Sequence, residues 1–173
     1  MKRFIPVFAL AAALTAAAAL AAPAWTPVQM GLSGPSCQFF AEETAVTGLR
    51  LNLAASRNAN VAGIDLGLIS LGDDIRGIRA NLFNNSDWHF SGLEVGLCNH
   101  DAALSGLAFA IFNAVEGDAS GILVGIFNRV NDMRGLQIGL FNQAVSLRGI
   151  QIGLINLIDE GPLTFFPVVN MAF

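Results

Sequence analysis

A ten-residue pattern returns every 14 or 15 residues along most of this chain. Residues 133–142 read MRGLQIGLFN, and residues 147–156 read LRGIQIGLIN. We number each unit from its first glycine, which is position 0. These glycines are Gly48, Gly63, Gly77, Gly92, Gly106, Gly121, Gly135 and Gly149. A repeat this short constrains the architecture strongly and leaves little room for an embedded active site.

Asparagine marks position 7 of most units. It is found at Asn84, Asn99, Asn113, Asn128, Asn142, Asn156 and Asn170, whereas Ala55 and Ser70 hold this position in two earlier units. A worn unit with Pro27 at position 0 comes first, and a last unit has Leu163 there. The sequence therefore predicts ten units.

The apolar period inside a unit is two residues. Leu136, Ile138 and Leu140 share one face, and Gln137 lies on the other. Frequent glycine disfavours a helix, whereas strict alternation is typical of a strand. Polar stretches such as Asp73-Asp74 separate the units and have turn chemistry. We predict an all-β protein in which each unit is one strand of about ten residues followed by a tight turn.

Such units can build an antiparallel up-and-down barrel or a parallel β-solenoid. Three features favour the barrel. The steps between position-0 glycines alternate between 15 and 14 residues at first, ten strands can close a sheet without an edge, and the chain ends in Phe173 on an alternating apolar strand. That ending resembles the C-terminal signal strand of outer-membrane barrels. We predict a ten-stranded antiparallel barrel with Phe173 as its assembly signal, and the solenoid is the alternative.

The two faces of the predicted strands differ in chemistry. Positions 1, 3 and 5 are almost wholly aliphatic, which is typical of a lipid-facing band. Position 2 carries alternating charges in four successive units, at Arg50, Asp65, Arg79 and Glu94. In a barrel they would neutralise one another inside the lumen, and on a solenoid they would form solvated surface pairs. The absence of tyrosine argues against a membrane barrel, because aromatic girdles are then missing.

The N-terminus predicts export. Lys2 and Arg3 precede an alanine-rich apolar run, and Ala19-Leu20-Ala21 forms a cleavage site. We predict a signal peptide over residues 1–21 and a single repetitive β domain over residues 22–173. Its removal leaves seven basic residues against 13 acidic ones, a net charge of −6. This charge argues against nucleic acid as a partner.

No residue pattern points to catalysis, a cofactor or a metal. His89 and His100 lie in neighbouring turns without close ligand spacing, and we interpret them as solvated loop residues. Cys37 and Cys98 could form a disulfide in an oxidising compartment. However, Cys98 occupies position 6, where sister units carry Phe, so a small apolar filler is the favoured interpretation. We expect no enzyme activity.

The unit G-[LI]-x-[IV]-G-L-[FI]-N, together with the ending Phe166-Pro167-Val168-Val169-Asn170, resembles a family of exported bacterial surface-repeat proteins. The family is known mainly from genomes of Gram-negative bacteria. The resemblance implies a signal peptide, a repetitive β fold, and an outer-membrane or cell-surface location without assigned biochemistry. Ala55 and Ser70 depart from the pattern, which suggests that the position-7 asparagine is dispensable there.

Three functions fit these observations. The first is a non-catalytic outer-membrane-type barrel with a structural or pore-like role, whose partners would be membrane lipid and the outer-membrane assembly machinery. The alternative is a β-solenoid that serves as a surface interaction module with an unknown protein partner. The third is a soluble barrel that binds an apolar ligand inside.

Overall fold

The computed structural model describes residues 23–161 and 163–173, and the predicted signal peptide lies outside this part of the chain. The described residues form an all-β fold, as the alternating pattern predicted. The strands are β1 (Trp25–Gly31), β2 (Ala45–Val95), β3 (Cys98–Asp101), β4 (Leu104–Phe109), β5 (Phe112–Val124), β6 (Phe127–Ile138), β7 (Phe141–Ile158) and β8 (Phe165–Ala172). A short 3₁₀ helix covers Pro35–Cys37.

Consecutive units stack in parallel, with equal positions side by side. Gly135 pairs with Gly121 on one side and with Gly149 on the other. The asparagines follow the same rule, since Asn128 pairs with Asn113 and with Asn142. Each unit is therefore one coil of a parallel β-solenoid, and the predicted antiparallel barrel is wrong.

Each coil contains two strand segments instead of the single ten-residue strand predicted. The longer segment covers positions −2 to 3, as in β4, and pairs with the second half of β5. The shorter segment covers positions 6 to 9, as in β3, and pairs with the first half of β5. The chain bends at positions 4 and 5 and again near positions 10 and 11. The two segments of one coil thus form opposite walls of a flattened tube.

The alternating step length has a local cause. Val115 pairs with Val130, but the next paired residues are Asp118 and Asp132. The extra residue of the 15-residue unit is thus accommodated as an irregularity at the polar bend, as in a β-bulge. Strand direction is unaffected, so the alternation that favoured a barrel carries no information about it.

The position-0 glycines allow neighbouring coils to approach closely. Gly121 has a φ of 140°, and a Cβ added to it would lie 1.9 Å from the carbonyl oxygen of Gly106. The same contact recurs between Gly135 and Gly149. A side chain at this position would clash with the backbone of the coil beside it, whatever its rotamer.

The two ends of the solenoid differ. β1 runs parallel to β2 with Gln29 beside Arg50, so the worn unit at Pro27 is a coil in register. β8 instead runs antiparallel to β7, and Asn170 lies opposite Gln151. The predicted tenth unit, with Asn170 equivalent to Asn156, is therefore wrong. β8 pairs with the edge of the last coil as a terminal cap.

Two rows of apolar side chains fill the part of the interior nearest the polar bend. One row occupies position −2 and the other position 9, and both are buried. The first contains Val46, Val61, Ile75, Phe90, Leu104, Ala119, Met133 and Leu147, and the second contains Val115, Val130, Ala144 and Ile158. Their burial supplies the hydrophobic contribution to stability.

The account of position 0 is tested by Gly121→Ala. The substitution forces an L residue into a backbone region that costs about 1–3 kcal/mol and adds a clash with Gly106. Gly34→Ala is the matched control, because Gly34 also has a positive φ, 93°, but a Cβ added there meets no atom within 4 Å. Urea unfolding should show a clearly larger loss for Gly121→Ala. Equal losses at the two positions would contradict the role assigned to position 0.

Candidate functional site

A column of asparagine side chains runs through the interior at position 7. Each Nδ2 donates to the Oδ1 of the equivalent asparagine in the next coil. The series is Asn84, Asn99, Asn113, Asn128, Asn142 and Asn156. The distance from each Nδ2 to the next Oδ1 is 2.8 Å, except from Asn99 to Asn113, where it is 3.0 Å. Nδ2 of Asn128 also donates to the carbonyl of Ile138 at 2.9 Å, and so ties the column to the bend at positions 4 and 5.

The earlier coils continue this column with residues that the sequence pattern did not identify. Nδ2 of Asn81 donates to Asn84 at 3.0 Å, and Nδ2 of Asn52 donates to Asn81 at 2.9 Å. Both lie at position 4, where the intervening unit carries Gly67 and leaves the space between them open. The column thus runs past the units that carry Ala55 and Ser70. The available signal was the asparagine at position 4 in the units that begin at Gly48 and Gly77.

Two of the predicted charged residues form a buried bidentate pair. Arg50 donates to Asp65 from Nε at 3.1 Å and from Nη2 at 2.7 Å, and both side chains are inaccessible to solvent. Asp65 also accepts from Ser70 at 2.5 Å and from Asn52 at 2.6 Å. Burial raises the pKa of Asp65, but Arg50 and these donors outweigh it and hold the pKa below its ordinary value.

Arg79 and Glu94, the other two predicted charged residues, form a buried cluster with Asp101. The sequence did not indicate Asp101 as a member. Nη2 of Arg79 donates to Glu94 and, at 2.7 Å, to Asp101. The ring of Phe90 lies against the guanidinium, 4.4 Å from centroid to Cζ. Burial, together with the neighbouring Asp101 carboxylate, raises the pKa of Glu94 well above its ordinary value. One arginine thus serves two carboxyl groups.

These interior groups organise the fold. The four predicted charges lie in the packed centre of a solenoid, with no exposed surface through which a solute could reach them. Their hydrogen-bond partners are other interior side chains and, for Arg50, the backbone carbonyl of Leu71. A buried pair of this kind fixes which residues stack, since breaking it leaves an uncompensated charge.

The outer surface presents a continuous apolar band, which we call the apolar edge. It consists of the outward side chains at positions 1, 3, 5 and 6, around the bend opposite the polar turns. The predicted orientation of positions 1, 3 and 5 holds, because these side chains point away from the interior. Its more exposed members include Ile64, Leu68, Ile78, Leu82, Val95, Leu97, Phe112, Phe127, Leu140 and Leu154.

Position 6 extends this edge around the bend with aromatic rings. The rings of Phe112 and Phe127 are stacked, with centroids 5.0 Å apart and planes within 3°. Phe141 continues the row, 6.1 Å from Phe127. Cys98 lies in the same row beside Phe112, and it and Cys37 are free thiols. Monomeric soluble proteins rarely expose an apolar band of this extent, so we identify the apolar edge as the candidate functional site.

The two histidines make hydrogen bonds between neighbouring coils near the surface. His89 lies 3.1 Å from the hydroxyl of Ser105, and His100 contacts Asn85 and Glu116. Among residues 23–161 and 163–173, no cluster of three or more His, Cys, Asp or Glu side chains is placed to hold a metal ion. In the same ranges, no helix has the length and hydropathy needed to cross a membrane.

Comparison with known proteins finds no family model, curated protein or solved structure that matches this chain. Function is therefore inferred from the geometry of the chain itself. Two parts of that geometry matter: the interior columns that fix the stacking, and the exposed apolar edge that results from it.

The raised pKa of Glu94 predicts a pH-dependent stability. Above the ordinary glutamate pKa, the unfolded chain loses a proton that folded Glu94 retains, so this group makes folding less favourable as the pH rises through its folded-state pKa. Glu94→Gln removes the titration and keeps a donor beside Asp101. Its unfolding free energy, relative to the original protein, should rise between pH 5 and pH 8.

Asp65→Asn is the matched control, since the pKa of Asp65 is shifted the other way. Asparagine leaves Arg50 buried without its counter-charge, which should cost about 3–5 kcal/mol near neutral pH. That deficit should shrink as the pH falls through the folded-state pKa of Asp65, where the carboxylate is protonated in the original protein too. Chemical unfolding of both variants, measured from pH 8 down to pH values below the ordinary aspartate pKa of 3.8, tests these expectations, and parallel pH profiles for them would contradict these assignments.

Proposed function

We propose that this protein is a non-catalytic interaction module of the cell envelope, a β-solenoid whose apolar edge is the binding surface. The observation that carries the proposal is the exposure of the same apolar positions in coil after coil. Leu140 and Leu154, for example, are 53% and 66% exposed. Repeat proteins commonly bind through extended surfaces formed by equivalent positions of successive units.

The interior supports neither of the two barrel functions. The asparagine column, the ion pairs and the apolar rows occupy the space between the two walls of the solenoid. A pore or an internal apolar ligand would need that space. The role of Phe173 as an assembly signal and the contact with outer-membrane assembly machinery both depended on the barrel, and they are not part of this proposal.

Export to the outer envelope or cell surface of a Gram-negative bacterium completes the proposal. The basic start, the apolar run and the Ala19-Leu20-Ala21 site support export. The buried carboxyl groups are bound to arginine side chains and have no access to a substrate, which supports a non-catalytic role. The acidic net charge supports a partner other than nucleic acid.

Leu140→Asp tests the proposal. The side chain is largely exposed, so the substitution should leave folding intact and remove binding through the apolar edge. In cells that produce the full chain, the original protein should sediment with the envelope fraction, and Leu140→Asp should move to the soluble fraction. Asn60→Asp is the control, because it adds the same charge at an exposed residue near the polar turns. Unchanged sedimentation of Leu140→Asp would contradict the proposal.

A further inference from the structure

Three exposed arginines flank the apolar edge in the C-terminal coils. Arg134 and Arg148 lie at position −1 of successive coils, on the longer wall, two residues before the start of the edge. Arg129 lies at position 8 on the shorter wall, two residues after Phe127. The edge in these coils is therefore bordered by cations on both sides.

These arginines differ from those of the N-terminal coils in having no carboxylate partner within salt-bridge distance among the described residues. Arg76, at the same position −1, binds Asp74 at 2.5 Å, and Arg57 binds Asp73 and Asp87. Asp132 corresponds to Asp74 but accepts from the Ser146 hydroxyl at 2.5 Å instead. Among the residues that the structure describes, arginines without a carboxylate partner are thus confined to the C-terminal coils.

Two of these cations lie directly beside each other. Arg134 and Arg148 are register partners on neighbouring parallel strands. Like charges in neighbouring positions of a sheet are destabilising unless an anion lies between them. The arrangement therefore favours an anionic group outside the protein, next to an apolar surface.

The polar turns complete an ordered distribution of chemistry across the solenoid. The exposed acidic residues of these coils lie at the bend opposite the apolar edge; they are Glu116, Asp118, Asp132, Asp159 and Glu160. From one long edge to the other, the surface changes from apolar to basic to acidic. A lipid surface has the matching order, with hydrocarbon, then phosphate, then water.

A second copy of this chain matches less well. Packing one apolar edge on another would bring basic flank against basic flank, because both walls carry arginine. An isologous interface repeats the same surface on both partners, so this repulsion would not be relieved by turning one copy over. Charge complementarity therefore favours an anionic lipid layer as the occupant.

We propose that the C-terminal coils bind an anionic lipid surface, with Leu140, Leu154 and the phenylalanine row inserted at its boundary and Arg129, Arg134 and Arg148 on headgroup phosphates. This inference rests on the proposed function and specifies the partner of the same edge. Insertion is shallow and parallel to the membrane plane, as for other interfacial elements that combine an apolar face with basic flanks.

Flotation with vesicles tests the inference. Purified protein is mixed with vesicles of phosphatidylglycerol and phosphatidylethanolamine, or of phosphatidylcholine alone. Binding should require phosphatidylglycerol and weaken with salt. Each lost arginine should weaken binding about fivefold, and the double variant Arg134→Gln/Arg148→Gln about 25-fold. Arg76→Gln is the matched control, because this arginine has its own carboxylate partner, and it should bind like the original protein.

Several outcomes would overturn the inference. They are no vesicle binding, equal binding to both lipid mixtures, equal loss in Arg76→Gln and the double variant, or a dimer in sedimentation that Leu140→Asp dissociates. Circular dichroism and thermal unfolding of each variant show that folding is retained. If vesicles do not bind while Leu140→Asp still leaves the envelope fraction, the lipid assignment fails and the proposed function stands. If vesicles do not bind and Leu140→Asp stays in the envelope fraction, both the lipid assignment and the proposed function fail.

Discussion

The close approach of neighbouring coils at position 0 is the constraint on which the rest of this structure depends. A Cβ at Gly121 would lie 1.9 Å from the carbonyl oxygen of Gly106 in the preceding coil, so the backbones meet where only glycine fits. Because glycine stacks on glycine in parallel register, every other position stacks on its equivalent as well. The asparagine column, the ion pairs and the apolar edge all follow from that register.

The interior is held in register by directional bonds as well as by apolar contact. Apolar packing alone tolerates sliding of one coil on another, whereas an amide column does not, because a shift would leave buried donors and acceptors without partners. Asn128 illustrates this, since its Nδ2 serves both Asn142 and the carbonyl of Ile138. Polar residues therefore fill part of the interior, and many aliphatic residues remain outside.

The sequence was sufficient to predict an all-β repeat with an aliphatic outward face, because a period of two residues and the position-0 glycines are visible in it, but not that each unit bends into two strand segments. It could not predict strand direction, since the same alternation suits parallel and antiparallel pairing. The alternating step length misled because an extra residue at a polar bend, as at Glu116 and Gly117, looks like a change of turn. The reversed last strand was missed because Asn170 keeps the spacing of the repeat.

The candidate site was only partly visible in the sequence. The aliphatic outward face was predicted from positions 1, 3 and 5, but its continuation into the phenylalanine row required knowing where the chain bends. The charges at Arg79 and Glu94 were identified from their alternation. The third member, Asp101, was not, because it lies at position 9 on the shorter wall, and the charge pattern at position 2 does not show that this wall faces position 2 across the interior.

The most direct test of this account is an NMR measurement of contacts between asparagine side-chain amides. Stacked coils predict a continuous series of nuclear Overhauser effects that connects Asn113, Asn128 and Asn142, residues 14 or 15 apart in the chain. An antiparallel arrangement would place successive asparagines at opposite ends of their strands. Contacts between non-equivalent positions, with no such series, would contradict the parallel stacking and the apolar edge that depends on it.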